Sequence, residues 1–183
     1  PAEELDYPVR FDAIGFADPS NWFRVGTFKP KDLDDNALHL TSLHNAVAFA
    51  HGTRYDNPKS PYGFAAYELW QDAFESDVEV NATRLHAETL KQRREAAAAY
   101  LRELTDVYPA AAKPLEAAAA DYDREVGSIT EIVDVCVATA KHEPKVFTPD
   151  QRAEIRSLIA QALKADRDAV AQIEAALKML GTP

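Results

Sequence analysis

The stretch "TPDQRAEIRSLIAQALKADRDAVAQIEAALKMLG", Thr148 to Gly181, constrains the fold more than any other. Thr148 stands where a helix N-cap is wanted, Pro149 at the first helical position, and Gln151 where a capping box places Glu or Gln. Behind that start, Ile155, Leu158, Ile159, Ala162, Leu163, Val170, Ile173, Leu177 and Leu180 recur at helical spacing, and Gly181 supplies the stop. A helix over this span would be roughly 45 Å long. One of its faces is apolar, and a helix cannot bury such a face alone. The chain must therefore supply partner helices of comparable length.

It does. The spacing predicts a first helix over about Asp32 to His51, with Leu33, Leu40, Leu43, Val47 and Ala50 as its stripe and Gly52 as its end. "TRYDNPKSPYG" reads as a loop. A second helix starts near Pro61 or Tyr62 and ends near Glu75. A third covers about Val80 to Val107, stopped by Pro109. A fourth begins near Lys113, with Pro114 in its first turn, and ends before Pro144; Gly127 and Ser128 are expected to kink it. The alanine runs "EAAAAY" and "EAAAAD" favour helix and close packing. The fold expected is all-α: an antiparallel bundle of about five helices over 31–183. Residues 1–30 are expected to be an irregular N-terminal segment holding at most one strand, "WFRVGTF" at 22–28. A lone strand needs a sheet from elsewhere.

Charge and motifs exclude several classes. The formal net charge is −10, which disfavours nucleic acid and anionic membranes. No apolar run is long enough for a membrane span, and "PAEELDYPVRF" lacks a signal-peptide pattern. The single cysteine, Cys136, permits no internal disulfide and fits a reducing, cytoplasmic setting. It sits in the apolar helical stretch "EIVDVCVATAK", as a buried structural cysteine would. With six glycines there is no phosphate-cradling loop, no serine elbow occurs, and no cofactor is expected. Neither His-Glu-x-x-His nor Glu-x-x-His is present. His44 and His51 share a helix face and, joined by His86, are weak metal candidates; no metal is expected.

Two features point to a binding site. Tyr67, Trp70 and Phe74 fall at i, i+3 and i+7, one helical face that serves as core or as a pocket wall. "RLHAETLKQRREAAAAYLRE" concentrates basic residues in an acidic chain. Glu88 is expected to pair with Lys91, and the remainder is a solvated face unless Arg93 or Arg94 turns inward to hold a carboxylate or phosphate.

"GFAAYELWQDAF" (Gly63, Ala66, Tyr67, Trp70) followed by "ETLKQRREAAAAYLREL" resembles the helical C-terminal region of the butirosin biosynthesis protein H-like family. "WFRVGTFKPKDLDDNALHLTSLHNAVAFAHG" resembles that family's junction of last strand, charged linker and first helix. The resemblance covers roughly residues 20 to 140. It implies an N-terminal papain-like cysteine domain carrying the reactive Cys and His. No cysteine near the start of this chain matches that Cys, so the catalytic machinery does not carry over. What the resemblance implies is a non-catalytic helical accessory domain of a cysteine peptidase-like or acyltransferase-like protein. Tyr67, Trp70, Arg93 and Arg94 would then contribute to binding a substrate or a papain-like catalytic domain. The acidic balance suits a small cationic or amine ligand. The alternatives are a stand-alone interaction protein that dimerises through the fifth helix, and a histidine-liganded metal-binding bundle.

Overall fold

A computed structural model describes residues 34–53 and 61–181. The chain divides into two units, 1–33 and 34–183, and the second is the subject here. The irregular segment 1–30 and its strand 22–28 lie outside the described residues.

Among the described residues the second unit is an all-α antiparallel bundle of five helices: α1 (Asp35–Ala50), α2 (Phe64–Ala73), α3 (Val80–Val107), α4 (Ala112–Thr139) and α5 (Pro149–Met179). The start of α5 is the one its sequence dictates. The Thr148 side chain accepts from the Gln151 N–H, and the Gln151 side chain accepts from the Thr148 N–H. Asp34 caps α1 and Glu79 caps α3 through their carboxylates. A short 3-10 turn, Pro109–Ala111, joins α3 to α4.

Side-chain pairs give the directions. Arg94 meets Glu125 while Arg102, further along α3, meets Glu116, earlier on α4, so α3 and α4 are antiparallel. On the neighbouring side, Glu68 of α2 meets Arg167 and Glu75 meets Arg156, so α2 is antiparallel to α5. Helix α1 starts beside the end of α3, where the Tyr108 hydroxyl donates to Asn36 and Tyr100 bonds His39. The chain then climbs through α1 to mid-height and continues in the same sense through α2, whose end packs Phe74 on Phe147. The five helices thus form four rods in up-down-up-down order, the first rod being broken into α1 and α2.

The break is tight. Gly63 has φ +62°, and a Cβ there would lie 2.2 Å from the Ala50 carbonyl oxygen and 2.4 Å from that of Phe49. Only glycine lets the start of α2 abut the end of α1.

Helix α4 is continuous through Gly127 and Ser128. Gly127 keeps helical hydrogen bonding with its Cβ direction open to solvent, and one residue's weak propensity does not interrupt a helix packed along its length. The apolar stripe of α5 is consumed within this domain: from Ile155 to Leu177 its members are buried, and Leu180 packs at the edge. Cys136 is fully buried, and burial pushes its thiol up to about 11. Among the described residues no helix is long and apolar enough to cross a membrane.

The two glycines should respond oppositely to alanine. Gly63→Ala combines left-handed strain with a backbone clash and should lose at least about 2 kcal/mol. Gly127→Ala should gain up to about 1 kcal/mol by helix propensity. Urea denaturation followed by circular dichroism reads both, and equal effects would contradict the packing of the break.

Candidate functional site

Each long helix brings one charged residue to the same height on its apolar stripe, and α4 also buries Asp121 one turn earlier. Arg94 follows Ala87 and Leu90 on α3, Glu125 lies between Tyr122 and Ile129 on α4, and Asp166 lies between Leu163 and Val170 on α5. The broken rod contributes Tyr67 from α2. These groups form one polar layer across the bundle. Above it Tyr67, Phe74, Ile132 and Ile159 belong to one apolar cluster; below it Leu43, Leu101, Leu115 and Ile173 belong to another.

The guanidinium organises the layer. Arg94 Nε lies 3.0 Å from Glu125 Oε1 and 2.9 Å from Oε2, with the hydrogen bond directed to Oε1. A terminal nitrogen donates to Asp166 Oδ2 at 2.9 Å and approaches the Tyr67 hydroxyl at 3.2 Å. Tyr67 in turn donates its hydroxyl proton to Glu125 Oε1. The Arg94 carbon centre stands 5.0 Å over the Tyr122 ring. The Glu125 and Asp166 side chains are 0 % and 2 % exposed, whereas Arg94 keeps 20 %. Two acceptor atoms remain unused: Glu125 Oε2 and Asp166 Oδ1 are buried without a hydrogen-bond partner.

One cation faces two carboxylates, and the electrostatics follow. Burial raises the Glu125 carboxyl to about 7, opposed by Arg94 and reinforced by Asp166. Burial also raises Asp166, again opposed by Arg94. Tyr67 and Tyr122 are raised by burial and stay neutral. Burial works against the Arg94 charge, but the attraction of Tyr67, Asp166 and Glu125 outweighs it and its pKa is raised. With both carboxyls ionised the layer carries net charge −1; with one proton bound it is neutral.

Two cavities reach the layer where the first rod is broken. The larger, about 470 Å³, is the more polar of the two: Ser42, Asn45 and Asp166 line it beside Ala46, Phe49, Ala50, Gly63 and Tyr122, with Arg94 in its wall. The smaller, about 210 Å³, lies on the other side of Gly63 and is walled by aromatic and aliphatic groups. The end of α1 and the start of α2 bring opposite dipole ends to this junction and offset one another, so the side chains decide its sign.

Of the residues singled out by sequence, Tyr67, Trp70 and Arg94 line the smaller cavity together. Tyr67 and Phe74 are buried core, and Trp70 is half-buried at the cavity wall, so the aromatic face is core at its ends and wall between them. Arg94 turns inward as anticipated, but the carboxylates it holds are the chain's own, and no anion is needed to neutralise it. Arg93, one residue on, points to the exposed face and joins nothing at the site. Glu88 pairs with Arg84 rather than Lys91, and Lys91 with Glu95, both at i, i+4, the spacing that overlays side chains best. His44, His51 and His86 do not form a ligand set. Among the described residues no three His, Cys, Asp or Glu side chains are grouped to hold a metal, and His51 instead bonds Glu174 at 2.9 Å.

Comparison with protein-family models, curated proteins and solved structures returns no match.

The layer sets the pH response. Glu125 keeps its proton in the folded state up to about pH 7, while its unfolded-state value is near 4.5. Stability therefore falls as pH rises from about 4.5 to about 7, because the unfolded chain gives up a proton that the folded one retains. Glu125→Gln should remove that component, so the difference between variant and parent in urea denaturation should change in the variant's favour across this window. Arg94→Met strands two buried carboxylates and should cost about 3–5 kcal/mol at pH 8. That deficit should shrink toward pH 5 as the carboxyls take up protons. A deficit independent of pH would contradict the charged layer.

Proposed function

We propose that the helical unit is a non-catalytic binding module whose ligand is a small molecule bearing an amine. The observation that carries this is Asp166: its side chain is buried, it borders the polar cavity, and its Oδ1 accepts no hydrogen bond. An ammonium donates up to three hydrogen bonds and brings the positive charge that the ionised layer lacks. The asparagine and serine at the cavity wall offer further acceptors, and the Tyr122 ring borders the same space. The chain's charge of −10 favours approach of a cation.

The non-catalytic reading is supported by the state of the chemistry-bearing groups. The Cys136 thiol is buried and held up near 11, far from activation. In the layer, the groups bond one another rather than aiming at a common reacting atom. On this reading the unit is the helical accessory part of a cysteine peptidase-like or acyltransferase-like protein, as the resemblance to the butirosin biosynthesis protein H-like family implies. It would then hold an amine substrate for chemistry performed elsewhere.

Calorimetric titration of the full chain with n-butylamine at pH 8 should show one-site binding, weakening as pH falls below about 7 and Glu125 takes up its proton. Asp166→Asn, checked for native helicity, should bind about tenfold or more weakly, the worth of a hydrogen bond to a charged group. Equal binding of n-butanol, or binding of inorganic phosphate in place of the amine, would overturn the reading.

A further inference from the structure

The smaller cavity says what the rest of that ligand looks like. It is lined by Pro61, Tyr62, Ala66, Tyr67, Trp70 and Leu90, a wall that is almost wholly carbon. It shares Phe49, Gly63 and Arg94 with the polar cavity, so the two spaces lie side by side at the break in the first rod. Gly63 presents no side chain at this boundary, and its missing Cβ would point at the α1 carbonyls rather than into either space.

From the adjacency of these two spaces we infer that the ligand is an amphiphilic amine, its ammonium group against Asp166 and an aryl or alkyl arm in the aromatic cleft beside Trp70. The inference rests on the amine-binding reading of the polar cavity and adds the second half of the molecule.

Charge and surface chemistry assign the ends. Asp166, whose Oδ1 has no partner among the described residues, lines the polar cavity, whereas burying an ammonium against the carbon wall of the cleft would leave its donors unpaired. An apolar arm has the opposite preference. Apolar cavities of about 150 Å³ accept a benzene ring, so a cleft of about 210 Å³ suits a single ring or a short chain rather than a second polar headgroup. Trp70, half-buried, loses its remaining contact with water when the arm lies against it. Arg94 separates the two environments: its head is held by Glu125 and Asp166, and its stem borders the cleft.

The test is a homologous series of primary amines, ethylamine through n-hexylamine with 2-phenylethylamine, titrated calorimetrically into the full chain at pH 8. Affinity should rise by about fourfold per added methylene until the cleft is filled. Ala66→Phe, which fills the cleft from a part-exposed position on α2, should abolish that dependence. Trp70→Ala should reduce the gain per methylene, and a native thermal melt guards against misfolding. If ethylamine binds but longer amines bind no better, the arm is overturned and the amine site stands. If no member of the series binds, or the matching alcohols bind equally, the amine site itself is overturned and the arm with it.

Discussion

The fold depends on one guanidinium. Arg94 lies at the centre of the bundle and is the cation that lets Glu125 and Asp166 remain in a core where each is almost wholly removed from water. Removing two carboxylates from water is costly, and such a group of charges is tolerated only when its geometry is good and its remaining atoms are bonded. Here the geometry also fixes register. Sliding α3 by one turn against α4 or α5 would place Arg94 beside aliphatic groups and leave both acids without a counter-charge. The apolar clusters above and below consist largely of alanine, leucine and isoleucine, which tolerate repacking, so the layer is what distinguishes the native register from its neighbours.

The break in the first rod follows from the same layer. A continuous helix opposite α4 would cover the layer with backbone that has no donors to offer it. Instead α1 ends below the layer and α2 begins at it, with Gly63 packed closely against the α1 carbonyls, and Tyr67 enters from α2 to bond Glu125. Each half-rod then covers one apolar cluster: Leu43 belongs to the lower and Phe74 to the upper. The junction is where the charged groups are approached from outside, and both cavities that touch Arg94 open there.

Much of this architecture is legible in the sequence. The capping box at Thr148, the stripe of α5 and the limits of α3 at Val80 and Val107 are local signals and appear in the structure at those residues. The layer was harder to read, although its trace is present. The α5 stripe is interrupted between Leu163 and Val170, and Asp166 occupies the vacant position. On α4, Glu125 stands at helical spacing between Tyr122 and Ile129. A charge on an apolar stripe marks a buried pair only when its partner is known, and the partner lies on another helix, so a single stripe reads as a gap. Arg94 was legible as a basic residue among basic residues. Its separation from Arg93 is a matter of helical phase, about 100° per residue, which turns one side chain into the core and the next into solvent. The histidine grouping failed for a related reason: a shared face on one helix does not bring a second helix to it.

The stoichiometry of the layer bears on function. A device for register alone is complete with one cation and one anion, and Arg94 with Glu125 already satisfies that requirement, with Tyr67 donating to the same carboxylate. Asp166 adds a second buried carboxylate whose burial raises its pKa and whose Oδ1 finds no donor among the described residues. An alanine or leucine there would continue the α5 stripe and remove the cost of burying a second charge. Asp166 borders the polar cavity beside the break in the rod, although its side chain is almost wholly removed from water. Excess negative charge, an unused acceptor and a neighbouring cavity are separately unremarkable. Their coincidence at one residue is what supports the proposed amine site.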